Sequence, residues 1–184
     1  MALFRKAHRK RSPRAEEDRA SVALDLLTGL CGIWTGVRCD YDPDQRVTGA
    51  GGVEIRRSLC VEFELNPERT HMIAHNEVSG QQGCHQTFDV WGREAGSREL
   101  FRTIFADGAR QTSIYDIARL DLGRDRRTWR MIVETVSWDE ARPCEIRYEI
   151  SRTRNQLSLR LARRLINHGP DYELVNRASL TRNS

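Results

Sequence analysis

The chain has 184 residues, 39% apolar and 30% charged, with a formal net charge of +4. That balance describes a soluble, single-domain globular protein large enough to bury a core without disulfide staples. No apolar run approaches the roughly 18 residues of a membrane helix. The basic N-terminus is not followed by the apolar stretch of a secretory signal, so a cytoplasmic location is expected.

The charge is unevenly placed. Residues 1–14 hold Arg5, Lys6, Arg9, Lys10, Arg11 and Arg14 with no acid, which leaves −2 for the remainder. Such a tail suggests nucleic acid or anionic lipid. No aromatic residues interleave with the charges and no recognition helix follows, so neither nucleic acid nor membrane is expected as a partner. Five cysteines (Cys31, Cys39, Cys60, Cys84, Cys144) contain no C-x-x-C pair and read as free thiols in a reducing compartment.

In chain order, Ser12-Pro13 opens a helix with Ser at the N-cap and Pro at the first position. Glu16, Glu17 and Asp18 favour the positive end of its dipole. Val22, Ala23, Leu26, Leu27 and Leu30 form one apolar stripe, and Gly29 or Gly32 ends the helix. Residues 1–31 are thus a basic tail and plug helix, and residues 32–184 a β-domain. From Trp34 the period is two. Val53 to Leu65 alternates apolar and polar, Asn66-Pro67-Glu68-Arg69 turns, and Thr70 to Val78 returns with Phe63 opposite Met72. Further strands are expected over 84–91, 99–105, 111–122, 127–138, 144–151, 156–165 and 172–182. The links Gly123–Arg126 and Thr153-Arg154 read as hairpin turns. No helical crossover appears, which excludes a parallel sheet. The expected fold is an all-β, antiparallel up-and-down barrel of about 8–10 strands with an N-terminal helix.

Metal chemistry finds little support. His71 and His75 lie four apart on a strand, about 13 Å from each other, whereas one zinc ion needs bonds of ~2.0–2.1 Å. A haem-binding barrel such as nitrobindin needs an axial His near the C-terminal strands, and His168 falls in a Gly-Pro turn. Gly49–Gly52 precedes a strand, not a helix, and so offers no phosphate site. No cofactor is expected. Alternation instead points to the lumen. It turns Phe63, Met72, Ala74 and Asn76 inward, and Gln86 with Cys84, Phe88 and Val90. Thr112, Asp116, Ala118 and Leu120 face Ser137, Val133, Met131 and Trp129; Ile146, Tyr148, Leu159 and Leu161 complete the wall. A slip of one residue would turn Tyr115 and Glu134 inward instead. Apolar walls with a few polar points suit a mid-sized, mostly apolar ligand.

Gly32-Ile33-Trp34 after a plugging helix resembles the Gly-x-Trp signature of lipocalins and related calycin barrels. The resemblance implies that Trp34 closes the floor and that a C-terminal arginine, Arg177 or Arg182, lies across its ring. Length, basic tail and barrel together are similar to the spirotetramate- and spirotetronate-forming [4+2] cyclases of bacterial specialised metabolism. That similarity implies a cofactor-free Diels–Alder closure of a polyketide-derived tetramate or tetronate, trapped beneath a tail that carries Phe4, Arg5 and Arg9. Tyr148, Gln86, Asn76 and Thr112 would then donate hydrogen bonds to the substrate carbonyls. Phe63, Met72, Asp116, Trp129, Met131, Ile146 and Leu159 would line its slot. The competing expectation is a non-catalytic carrier or self-resistance binder of an apolar metabolite. A homodimer is left open.

Overall fold

A single helix, α1 (Pro13–Thr28), precedes ten strands in the computed structural model, which describes residues 13–41, 54–81, 83–94, 96–139, 142–166 and 169–183. The strands are β1 (Gly32–Tyr41), β2 (Glu54–Leu65), β3 (His71–Gly80), β4 (Gly83–Gly92) and β5 (Leu100–Ala106), then β6 (Ala109–Leu122), β7 (Thr128–Asp139), β8 (Arg142–Thr153), β9 (Gln156–Leu165) and β10 (Glu173–Arg182). Each pairs antiparallel with its sequence neighbours, and β10 returns beside β1 to close the barrel. Closure removes every sheet edge that hairpin succession alone would leave.

The helix plugs one end. Ala23, Leu26, Leu27 and Leu30 are buried against the inward faces of the strands, among them Trp34, Phe63, Met72, Leu100 and Leu157. Trp34 is wholly buried and its indole N–H donates to the Leu30 carbonyl at 2.7 Å. No basic residue lies in the last turn of α1. The strands supply that charge instead: Arg152 donates to the Gly29 carbonyl at 2.7 Å and Arg182 to the Cys31 carbonyl at 2.6 Å. Both guanidinium groups thus meet the negative end of the helix dipole. Both also lie over the Trp34 ring, at 5.6 Å and 5.9 Å. Of the two arginines expected there, Arg182 takes the position. Arg177 points outward and lies over Tyr41 at 5.7 Å.

Three expected registers are corrected. Phe63 faces Ala74, and Met72 faces Leu65. The turn is longer than expected because the Asn66 side chain accepts from the backbone N–H groups of both Thr70 and His71. This shift is of two residues, so the inward set survives. In β6 a bulge between Ile117 and Arg119 reverses the alternation. Leu120 and Leu122 face inward below it, opposite Met131 and Trp129; above it Tyr115, opposite Leu100, faces inward. Thr112 and Asp116 therefore lie outside and exposed, and Glu134 lies outside with Asp116. The carbonyl of Ile117 at the bulge accepts from Arg19 of α1 at 3.1 Å, which ties the helix to this irregularity. In β4 the inward face is Thr87, Asp89 and Trp91, so Gln86 and Phe88 lie outside. Phe88 is placed there by a ring stack on the outer surface with Phe105.

Candidate functional site

Inward-facing side chains divide the lumen into two halves. Towards the helix most of them are buried; above Ala74, Val133 and Ala178, the side chains of Thr87, Ile104, Ser113, Thr135, Ile146, Leu161 and Asn176 are partly exposed, whereas Val78 and Cys144 stay buried. The upper wall is therefore more open to solvent than the lower. The lower half is filled. The space between Leu27, Leu30, Phe63, Met72, Tyr148 and their neighbours amounts to about 20 Å³, room for a single water molecule.

An ion pair sits at the boundary. Arg102 of β5 reaches Asp89 of β4 through Nε at 3.2 Å and Nη2 at 2.5 Å, both bonds falling on Oδ2. The two side chains are 14% and 6% exposed. The guanidinium lies over the rings of Tyr148 at 4.9 Å and Trp91 at 5.2 Å, and these rings stack on one another at 5.8 Å. Trp91 also touches Tyr115 at 5.6 Å. Burial opposes the charge of Arg102, but Asp89 together with Tyr148 and Tyr115 outweighs it and raises the guanidinium above its ordinary value. Burial pushes the Tyr148 hydroxyl up, against the opposing pull of Arg102, so the phenol stays protonated at neutral pH. Asp89 Oδ1 is buried with no hydrogen-bond partner among the described residues. Asp89, Asn76 and Tyr148 line the same small cavity. One open acceptor, one protonated hydroxyl and one amide thus meet at this water-sized cavity above the helix.

The mouth is charged. By alternation Arg38 and Asp40 of β1 and Arg57 of β2 face inward, and Asp40 pairs with Arg38 at 2.7 Å and Arg57 at 3.8 Å.

Of the four expected hydrogen-bond donors, Tyr148 and Asn76 face the lumen. Asn76 donates to Thr87 Oγ1 at 3.3 Å. Gln86 instead donates to Glu77 on the outer surface, and Thr112 bonds to Thr103 there. Among the expected slot residues, Phe63, Met72, Trp129 and Met131 are buried in the filled lower half, whereas Ile146 and Leu159 stand half-buried higher in the wall. Asp116 lies outside. Phe4, Arg5, Arg9 and His168 lie outside the described residues. Alternation missed Asp89 and Arg102, because a charged residue within a strand reads as solvent-facing. Their signal would have been the pairing of β4 with β5 that sets an acid beside an arginine between aromatic residues. Among the described residues no group of three metal-ligating side chains converges, and no helix is long and apolar enough to cross a membrane.

No family model matches the chain, and no curated protein matches it. Among solved structures the barrel is similar to Rv2717c from M. tuberculosis, with a TM-score of 0.59 and 13% identity over 88% of this chain and 98% of that one. The likeness is one of fold: a closed antiparallel barrel.

Proposed function

We propose that the protein is a carrier that binds a small amphipathic molecule in the upper half of its lumen. The partial exposure of inward residues such as Thr87, Ile104, Ile146, Leu161 and Asn176 above Asp89 and Arg102 carries this reading. A donor on the ligand meets Asp89 Oδ1, an acceptor meets the Tyr148 hydroxyl or the Asn76 amide, and an apolar body lies against Ile104, Ile146 and Leu161. Few polar points on a largely apolar wall orient a ligand without binding every part of it.

A second reading, cofactor-free [4+2] cyclisation, is favoured by one observation. The Tyr148 hydroxyl is held protonated inside the barrel. A phenol beside a buried guanidinium suits donation to a substrate carbonyl, which polarises a conjugated alkene, and such a bond gains strength where water is thin. The reaction moves no proton, so positioning supplies the catalysis. Gln86 and Thr112 take no part in either reading.

Titrating the full chain with a synthetic linear polyene tetramate, followed by quenching of tryptophan fluorescence, tests both. A carrier loses roughly five- to tenfold in affinity on Tyr148→Phe and returns the ligand unchanged. A cyclase shows first-order loss of the polyene chromophore that slows in the same variant more than binding weakens. Quenching that persists undiminished in Leu161→Trp, which fills the upper lumen, would place the ligand elsewhere and remove both readings.

A further inference from the structure

The backbone ladders of the barrel do not all reach its rim. Those of β1 with β2, β3 with β4 and β7 with β8 run to the ends of their strands, at Tyr41 opposite Glu54, Gly80 opposite Gly83 and Asp139 opposite Arg142. Between β6 and β7 the ladder climbs from Leu122 and Trp129 only as far as Asp116 and Glu134. Above it, residues 109–115 pair with β5 and residues 135–139 with β8. Among the described residues no pair joins these two segments to each other. The split lies just above the bulge between Ile117 and Arg119, where Arg19 ties α1 to the Ile117 carbonyl. The neighbouring seam of β4 with β5 stops at Phe88 opposite Phe105, but His85 and Asp107 span it higher up at 3.6 Å.

We propose that the ligand enters and leaves the lumen sideways, between β6 and β7, with the upper part of the β5–β6 hairpin as the moving element. The inference rests on the carrier reading. Backbone bonding is the first argument. Parting two strands at a fully laddered seam breaks backbone hydrogen bonds, and parting β6 from β7 above Asp116 breaks none of the ladder. The bulge gives β6 a bending point, and Arg19 holds the strand at that point. Polarity is the second argument. The mouth is crossed by Arg38, Asp40 and Arg57, and an apolar body passing there must strip water from those charges. The split has an apolar outer margin instead: Ile114, Val136 and Trp138 are 50%, 63% and 71% exposed. Continuing the register of Asp116 with Glu134 sets Ile114 level with Val136 across the opening. On the lumen side Ser113 and Thr135 are partly exposed. An entrance changes the route and not the site, so it governs association and dissociation together and leaves affinity alone.

The test staples the split in the full chain. In I114C/V136C a disulfide, verified by peptide mass spectrometry, joins β6 to β7 on the outer face and leaves the lumen wall unaltered. Stopped-flow quenching of tryptophan fluorescence by the synthetic linear polyene tetramate gives both rates in the oxidised and the reduced protein. Oxidation is expected to slow association and dissociation alike, by about tenfold, with Kd unchanged and full recovery on reduction. A second variant, V136E/W138E, alters only exposed side chains and keeps the fold; charge on the margin slows both rates in the same way. The stapled protein decides where its disulfide forms, and V136E/W138E decides where it does not. Rates equal to those of the reduced protein or of wild type overturn the entrance and leave the carrier reading standing. A weaker Kd with unchanged association also overturns it, since these residues would then belong to the binding site. Failure of wild type to bind the polyene, or quenching undiminished in Leu161→Trp, removes the carrier reading and the entrance with it.

Discussion

Asp89 and Arg102 place opposite charges inside the barrel, where both are largely shielded from water. Neither charge is tolerable there without the other. Removing the acid alone strands a guanidinium that is 14% exposed, and the desolvation cost of an unpaired buried charge exceeds what the pair itself contributes. Asp89→Asn is expected to lower stability by about 3–5 kcal/mol. The double replacement Asp89→Leu with Arg102→Met should recover most of that loss. Urea unfolding of the three proteins checks the order, and a double variant as weak as the single one would deny the pairing its role. These two residues were also the least legible in the sequence. Alternation assigns a face from hydrophobicity, and a charged side chain that finds its partner only across two strands reads as exposed. Phe88 misled in the opposite sense, since its outer-surface stack with Phe105 satisfies an aromatic ring without burying it inside.

Helix α1 shows the same division between pattern and partner. Its apolar stripe announces a buried face, and Ala23, Leu26, Leu27 and Leu30 are buried as that stripe requires. What holds its C-terminal end is supplied from β8 and β10, by Arg152 and Arg182 on the carbonyls of Gly29 and Cys31. Arg182→Gln removes a cation from the negative end of the dipole and from the Trp34 ring together. The expected cost is about 1 kcal/mol, read as a lower Tm by circular dichroism, with a matching loss of the buried character of tryptophan emission. An unchanged Tm would mean that Arg152 alone suffices. In β6, a bulge at a single position turned Thr112 and Asp116 from lumen to surface. Sequence alternation does not register a bulge, because the extra residue Ala118 is compatible with either face.

Closure is a property of the whole molecule. β1 and β10 approach so closely at Gly36 that a Cβ there would lie 2.0 Å from the Ser179 carbonyl oxygen, so this seam requires glycine. Above it, Glu54 of β2 gathers Arg56, Tyr41 of β1 and Arg177 of β10. The bond from Arg56, together with the Cys39 thiol, holds the Glu54 carboxyl at about 2 against an ordinary 4.5. A carboxyl whose folded pKa is depressed adds stability above its unfolded pKa, and that contribution disappears as pH falls through the folded value. Wild type and Glu54→Gln should therefore differ in urea midpoint above pH 4.5 and converge as pH falls towards 2. Curves that stay parallel across that window would show that the carboxylate does not fasten the seam.

Sequence by itself determined the class and the order of elements: one plug helix, then strands in hairpin succession, with Trp34 at the floor. Local periodicity and turn chemistry encode these, because each hairpin is built from neighbours in the chain. Only the tertiary structure decided which polar residues meet in the lumen and which inward residues reach solvent. That outcome depends on bulges, on register between strands and on charges that become tolerable only when paired across the sheet. None of these energies belongs to a single segment, so no segment read alone displays them.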